Sequence, residues 1–112
     1  MTTGEVGLLR IHVAAHERRR GKLLYKLIVQ TARNLDLAGA SVFPVEMSFG
    51  ARRQVHDSLS DYSFTELPVV IEIAETHDRI ESLLAELGDS LDSSLLTIES
   101  ARVFAHSGGG NS

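Results

Sequence analysis

Residues 67–88 read LPVVIEIAETHDRIESLLAELG, and this stretch decides the fold. Over 67–74, positions that are always apolar alternate with positions that hold either polar or apolar residues, which predicts a half-buried strand. Thr76 stands where a helix N-cap belongs, because its hydroxyl can accept a hydrogen bond from an N–H of the first turn. Leucines and an isoleucine then recur at helical spacing as far as Gly88, a residue suited to end a helix. The stretch is a strand followed directly by an amphipathic helix.

The first half of the chain repeats this order. Residues 8–14 alternate and predict a strand, and residues 21–37 predict an amphipathic helix that Gly39 ends. The polar side of that helix carries Lys22, Lys26, Gln30 and Arg33. Residues 40–46 predict a second strand, and Pro44 places it at a sheet edge, since proline cannot donate a hydrogen bond to a neighbouring strand.

A last strand at 95–104 completes an α+β fold, the ferredoxin-like βαββαβ sandwich. The expected spatial order is fourth, first, third and second strand, with both helices on one face. This order places the proline-bearing strand at an edge and the two most apolar strands in the centre. We expect one domain at 8–104, an N-terminal arm at 1–7 and a disordered Gly/Ser tail at 105–112.

Composition excludes several classes of function. The chain has 112 residues, of which 43% are hydrophobic and 23% charged, as in an ordinary globular domain. It has no cysteine, which excludes a disulfide scaffold, a thiolate metal site and a cysteine nucleophile. The net charge of −4 does not favour nucleic acid or an anionic membrane. Since neither a membrane-spanning run nor a signal peptide is recognisable, we expect a cytoplasmic protein without direct membrane insertion.

Three loops of the predicted sandwich gather at one end: residues 15–21, 47–66 and 88–94. Basic residues and histidines are frequent in these loops and at the start of the first helix: His16, Arg18, Arg19, Arg20, Lys22, Arg52, Arg53 and His56. The first helix also directs its free N–H groups to this end. Two interpretations stay open, an anion-binding site or a solvated run of charges that nearby acidic residues balance.

The second face of the sheet has no predicted cover. It shows Arg10 and His12 of the first strand and Val70 and Glu72 of the third. Because these strands are neighbours, Arg10 can pair with Glu72 across them. Such a face either enters an interface between subunits or faces solvent with ordinary surface pairs, and both interpretations stay open.

Five motifs follow one another along the chain: LRIHV at 9–13, GKLLY at 21–25, GASV at 39–42, FGA at 49–51 with His56, and LPVVIEI at 67–73. In this order they resemble the PII-like proteins of the nitrogen-regulatory PII superfamily, in particular a branch catalogued as a domain of unknown function. The resemblance implies a homotrimer built on the open sheet faces and a long regulatory loop after the second strand. It also implies that small effectors, usually adenine nucleotides, bind in the clefts between subunits near the base of that loop.

The resemblance implies site residues as well. Phe49 and Gly50 match a Phe-Gly at the loop base, and His56 matches a histidine that often follows. The residues expected to bind ligand are Phe49, Gly50, Arg52, Arg53, His56, Arg19 and Lys22. The residues expected at the subunit interface are Arg10, His12, Val70 and Glu72. No catalytic or metal-binding residue is expected.

From these observations we expect a trimeric regulatory protein and not an enzyme. A small anionic effector, with ATP, ADP or AMP as the expected nucleotide, would bind between subunits and switch the loop 47–66, which would then contact a regulated protein. No cofactor is required, and no nucleic-acid partner is expected. The alternative is a structural or metal-tolerance trimer of the same fold without a nucleotide. An enzyme ranks last, because no nucleophile with an orienting base is recognisable.

Overall fold

A four-stranded antiparallel sheet carries two helices on one of its faces. The structure, a computed structural model, describes residues 2–45 and 68–105. In chain order the elements are β1 (Thr2–Ala14), β2 (Arg18–Arg19), β3 (Lys22–Leu23), α1 (Leu24–Asn34), β4 (Ser41–Pro44), β5 (Pro68–Glu75), α2 (His77–Leu87), a 3-10 helix (Gly88–Leu91) and β6 (Leu95–Ala105). Within the described residues no helix combines the length and apolar character that crossing a membrane requires.

The sheet has the strand order β4–β5–β1–β6, with every neighbouring pair antiparallel. This is the predicted ferredoxin-like order, and the prediction is confirmed. The strand that carries Pro44 lies at an edge, as the missing N–H of proline requires. At the centre Ile11 lies opposite Ile71 on one side and Leu96 on the other. The most apolar strands therefore hold the middle of the sheet.

The core lies between the sheet and the helices. The alternating residues of β1 and β5 point towards the helices and are buried: Leu9, Ile11, Val13, Val69, Ile71 and Ile73. The helices contribute Leu24, Leu27, Ile28, Ala32, Ile80, Leu83 and Leu87, which are also buried. Lys26, Gln30 and Arg33 are exposed on the far side of α1, as the helical spacing predicts. Lys22 is exposed too, but it lies in β3, because the helix begins at Leu24 and not at residue 21. The hydrophobic effect of bringing these two apolar surfaces together holds the subunit.

The first helix is shorter than its sequence pattern predicts. It ends at Asn34, and Asp36, not Gly39, takes the left-handed backbone conformation, with a φ of 61°. The end is a local C-cap of the Schellman type, because the N–H of Leu37 donates to the carbonyl oxygen of Ala32 and the N–H of Asp36 to that of Arg33. The guanidinium of Arg79 in the second helix adds hydrogen bonds to the next two carbonyl oxygens, those of Leu35 and Asp36. A side chain distant in sequence thus binds the end of α1.

The second helix begins and ends where predicted. The Thr76 hydroxyl accepts a hydrogen bond from the Arg79 N–H at 3.4 Å, and Gly88 follows the last helical residue with a φ of 54°. Two features were not predicted. A tight hairpin, β2 with β3, precedes α1, and β1 begins at Thr2 instead of residue 8.

The early start of β1 brings Gly7 against the second helix. A Cβ atom at Gly7 would lie 2.8 Å from Cδ1 of Ile80 and 3.1 Å from Cε1 of His77. Because Ile80 is 1% exposed and has little room to move, we expect Gly7→Ala to lower the free energy of unfolding by about 1–2 kcal/mol. Urea denaturation measures this change.

Gly4→Ala is the matched control, since nothing lies within 4 Å of a Cβ at Gly4 in the same strand. It should leave stability unchanged or slightly higher, because alanine restricts the unfolded chain more than glycine does. Equal losses in the two variants would contradict the close approach of Gly7 to the helix.

Candidate functional site

The sheet face turned away from the helices, here called the open face, is not covered by any described part of the subunit. The strand register aligns one residue from each strand in a row across it: Phe43, Val70, His12 and Leu95. At the two ends of the row the side chains of Phe43 and Leu95 are 49% and 60% exposed. An uncovered sheet face that carries exposed apolar side chains can be buried by another protein surface.

The next row on the open face is polar. Arg10 donates a hydrogen bond from Nε to Oε2 of Glu72 at 3.0 Å and from Nη1 to Oε1 of Glu99 at 2.7 Å. These two carboxylates, Glu99 first, raise the pKa of the Arg10 guanidinium above its ordinary value. The predicted pair of Arg10 and Glu72 is confirmed. The role of Arg10, His12, Val70 and Glu72 in a subunit interface stays a prediction.

Glu99 is the residue of this network that sequence reasoning missed. The last strand has only weak alternation, and no pattern near Glu99 marks it as a partner of a residue 89 positions earlier. One signal was present: Glu99 is an even number of residues from Leu95, so both side chains point to the same face of a strand. Arg10 bridges the two carboxylates, so the network keeps one net negative charge, and a second subunit that covered it would have to supply a partner for that charge.

The predicted gathering of loops at one end is confirmed for two of the three loops. Nη2 of Arg19 donates to Oε2 of Glu17 at 2.8 Å and to the carbonyl oxygen of Asp92 at 3.1 Å. This side chain therefore joins the β2–β3 hairpin to the turn before β6. Residues 47–66 lie outside the described residues, and so do the predicted ligand residues Phe49, Gly50, Arg52, Arg53 and His56.

The charges at this loop end are of two kinds. The guanidinium of Arg19 already forms an ion pair with Glu17, and the Arg19 side chain is only 28% exposed. Lys22 and the neighbouring Arg18 and Arg20 are exposed, and no carboxylate of the described residues pairs with them. The helix α1 begins next to them without a side-chain cap from the described residues and without an acidic residue in its first turn. An anion can therefore meet both exposed cations and helix N–H groups here.

Two serines in the turn before β6 were not singled out from the sequence. The hydroxyl groups of Ser90 and Ser94 are buried and have no hydrogen-bond partner among residues 2–45 and 68–105. Buried hydroxyls usually find a partner. Both lie within two residues of Asp92, whose carbonyl oxygen accepts from Arg19.

Histidines do not form a metal centre in the described part of the chain. Over residues 2–45 and 68–105 no three His, Cys, Asp or Glu side chains lie close enough together to hold an ion. His12 lies on the open face, whereas His16 follows the end of β1.

Comparison with protein families matches residues 6–103 to the family DUF190, described as "Uncharacterized ACR". A curated relative, the UPF0166 protein of Aquifex aeolicus (strain VF5), is 30% identical over 96 residues, which cover 86% of this chain and 90% of the relative.

Solved structures share the fold at low identity. A PII-like signaling protein from Thermus thermophilus matches with a TM-score of 0.66 and 16% identity, over 92% of this chain and 93% of the other. CPII, a nitrogen regulatory PII-like protein from Thiomonas intermedia K12 solved with ADP, AMP and bicarbonate, matches with a TM-score of 0.66 and 11% identity over 91% of each chain. At these identities the likeness shows the fold, which is the PII-like form of the ferredoxin-like sandwich.

Proposed function

The chain belongs to the DUF190 family, and we propose that it is a homotrimeric PII-like regulatory protein that binds a small anionic effector, an adenine nucleotide, between its subunits. The observation that carries the proposal is the open face. Phe43 and Leu95 are about half exposed there, on a sheet surface that the described residues leave uncovered. Three copies that turn these faces towards one another bury the apolar row, and clefts form where neighbouring sheets meet.

The chemistry at the loop end supports an anionic ligand. The exposed Arg18, Arg20 and Lys22 surround the start of α1, whose first turn has N–H groups without a capping side chain from the described residues. Phosphate groups suit both partners, since cations and helix N-termini attract negative charge. The structurally similar CPII is bound to ADP, AMP and bicarbonate, which gives the nucleotide class that we propose here.

The regulatory step uses the segment 47–66. A nucleotide changes the conformation of this segment only if it interacts better with one conformation than with another. Arg52 and Arg53 would supply positive charge to the phosphates. Gly50, beside Phe49, would let the backbone approach the nucleotide closely, and His56 would form a hydrogen bond with it. The segment then presents a different surface to a regulated protein in the bound and free states.

Calorimetric titration with ATP, ADP and AMP tests the proposal. We expect saturable heat with at least one nucleotide and a Kd about tenfold or more weaker in Lys22→Gln, because a charge-assisted contact to phosphate is lost. Arg102→Gln is the control, since Arg102 is an exposed cation of β6 at the far end of the sheet and should leave Kd unchanged.

Limited proteolysis tests the switch in the same samples. Bound nucleotide should change the rate of cleavage within 47–66. If none of the three nucleotides gives heat and cleavage stays unchanged, adenine nucleotides are not the effector of this protein. A melting temperature that rises with copper or zinc would instead favour the metal-tolerance alternative, because a ligand of the native state stabilises it by mass action.

A further inference from the structure

The two helices carry opposite charges on their outer sides. Between residues 18 and 34 the chain has six basic residues and no acidic one, namely Arg18, Arg19, Arg20, Lys22, Lys26 and Arg33. Between residues 77 and 92 it has five acidic residues, Asp78, Glu81, Glu86, Asp89 and Asp92. All of these side chains except that of Arg19 are exposed. The one arginine of the second stretch, Arg79, contacts the end of α1 and Glu75 instead.

These outer charges have no ionic partners within the described part of the subunit. Its ion pairs join Arg10 with Glu72 and Glu99, Arg19 with Glu17, and Arg79 with Glu75. None of the exposed basic residues of the first stretch and none of the acidic residues of the second takes part. The outer sides of α1 and α2 with their flanking residues, here called the helix layer, are therefore a basic strip beside an acidic strip.

The topology aligns the ends of the two strips. The helices run in opposite directions, because α1 leads out of β1 and α2 leads out of β5, which is antiparallel to β1. The start of α1 thus lies at the end of the molecule where α2 finishes, and the contact of Arg19 with the Asp92 carbonyl oxygen marks this end. The densest basic charge, Arg18 to Lys26, and the densest acidic charge, Glu86 to Asp92, share one end of the layer.

We propose that the helix layer pairs with the helix layer of a second copy of this chain. A two-fold axis parallel to the helices places α1 of each copy over α2 of the other, so that basic meets acidic twice in one self-complementary contact. The same axis keeps the ends together, so the dense basic end of one copy faces the dense acidic end of the other. The backbone dipoles of the facing helices also oppose one another, which is favourable.

Charge complementarity selects this partner over others. Nucleic acid or an anionic membrane would attract the basic strip but repel the acidic strip beside it. A second copy satisfies both. The contact uses the side of the subunit opposite the open face, so it would link assemblies already formed through that face, and it does not rest on the proposed nucleotide function.

Sedimentation velocity of the full chain at two salt concentrations measures the pairing. At about 25 mM NaCl we expect a species heavier than the assembly that forms through the open face alone. This heavier species should be lost at about 500 mM NaCl, where the Debye length is only a few ångströms. Charge reversal then tests the strips separately. Lys26→Glu with Arg33→Glu reverses the two charges that the basic strip carries on α1, and Glu81→Lys with Glu86→Lys reverses the two glutamates of the acidic strip on α2.

Each double variant alone should lose the heavier species, with association weakened about tenfold or more, because like charges then face each other. An equimolar mixture of the two double variants should regain it, because every facing pair is opposite in sign again. Restoration by mixing cannot arise from misfolding of either variant. Circular dichroism provides the check that both remain helical.

Three results would overturn the pairing: a single species of wild-type chain at both salt concentrations, association that reversal leaves intact, or a mixture that does not reassociate. A heavier species that appears only with added anionic vesicles or DNA would equally reject it in favour of those partners. The proposed function fails by a different result, the absence of nucleotide heat, so the two proposals are tested independently.

Discussion

Leu95→Asp should dissociate the proposed trimer into monomers of 12.2 kDa. Leu95 is 60% exposed in the subunit, so the subunit itself should fold normally with aspartate there. In the proposed trimer the same position is buried between sheets, and moving a carboxylate from water into that interface is costly even with His12 opposite it in the register. We expect association to weaken about 100-fold, which corresponds to a cost of about 3 kcal/mol. Multi-angle light scattering after gel filtration measures the mass.

Phe43→Asp should act in the same direction, since Phe43 lies at the other end of the same row. Phe104→Asp is the matched control. Its side chain is also 60% exposed, but it is an odd number of residues from Leu95 in β6 and therefore points to the opposite side of the strand. If Leu95→Asp retains the mass of the wild-type protein, the open face is not the interface.

Replacing Glu75 should cause the second large effect, on stability. The Glu75 carboxylate accepts hydrogen bonds from the backbone N–H groups of Thr76 at 3.0 Å and Ala38 at 2.9 Å, and its Oε2 lies 3.4 Å from Nε of Arg79. It thus joins the end of β5, the start of α2 and the loop after α1. The side chain is only 11% exposed. We expect Glu75→Ala to lower the free energy of unfolding by about 1–3 kcal/mol, because two backbone N–H groups and the Arg79 guanidinium lose a charged acceptor.

The same carboxylate predicts a pH dependence. The backbone N–H of Thr76, the N–H of Ala38 and the Arg79 guanidinium hold the pKa of Glu75 below its ordinary value of 4.5. A carboxyl whose pKa is lower in the folded state stabilises the fold above its unfolded pKa, and the stabilisation is lost as pH falls through the folded pKa. The difference in stability between the wild type and Glu75→Gln should therefore be full at pH 7 and shrink below the ordinary pKa.

Urea denaturation at neutral and acidic pH measures this difference. Glu5→Gln is the control, because Glu5 is an exposed glutamate of β1, outside the helix layer and without an ion pair in the described residues. A pH-independent loss in Glu75→Gln would show that the hydrogen bonds, and not the charge, carry the stabilisation.

Much of the fold followed from local patterns. The alternation in β1 and β5 fixed which side chains face the helices, and the spacing in α2 with Thr76 and Gly88 fixed both of its ends. Pro44 fixed β4 as an edge strand, and that one constraint agreed with the strand order of the ferredoxin-like sandwich. The residues of the open face followed as well, since alternation assigns Arg10 and Glu72 to the side away from the core.

Less of the candidate site than of the fold could be predicted from the sequence. Lys22 was expected among the exposed cations at the start of α1, and it lies there. Arg19 was expected among the ligand-binding residues; its guanidinium donates to Glu17 and to the Asp92 carbonyl oxygen, and its part in ligand binding stays a prediction. Both cations belong to one run of basic residues. Their difference arises from Glu17, two positions before Arg19, and from the turn at Asp92, more than seventy positions away.

By itself the sequence determined the periodicity of each element, the face that each residue takes and the charge of each helix surface, because these depend on residues a few positions apart. The tertiary structure alone decided how far β1 extends, that Glu99 joins Glu72 at Arg10, and that Arg79 binds the end of α1. Each of these depends on a distant part of the chain. The strand β6 pairs with the first residues of β1, Glu99 accepts a hydrogen bond from Arg10, and Arg79 donates to the carbonyl oxygen of Leu35. Such contacts form only when the sheet brings the distant segments together, and a local pattern cannot encode them.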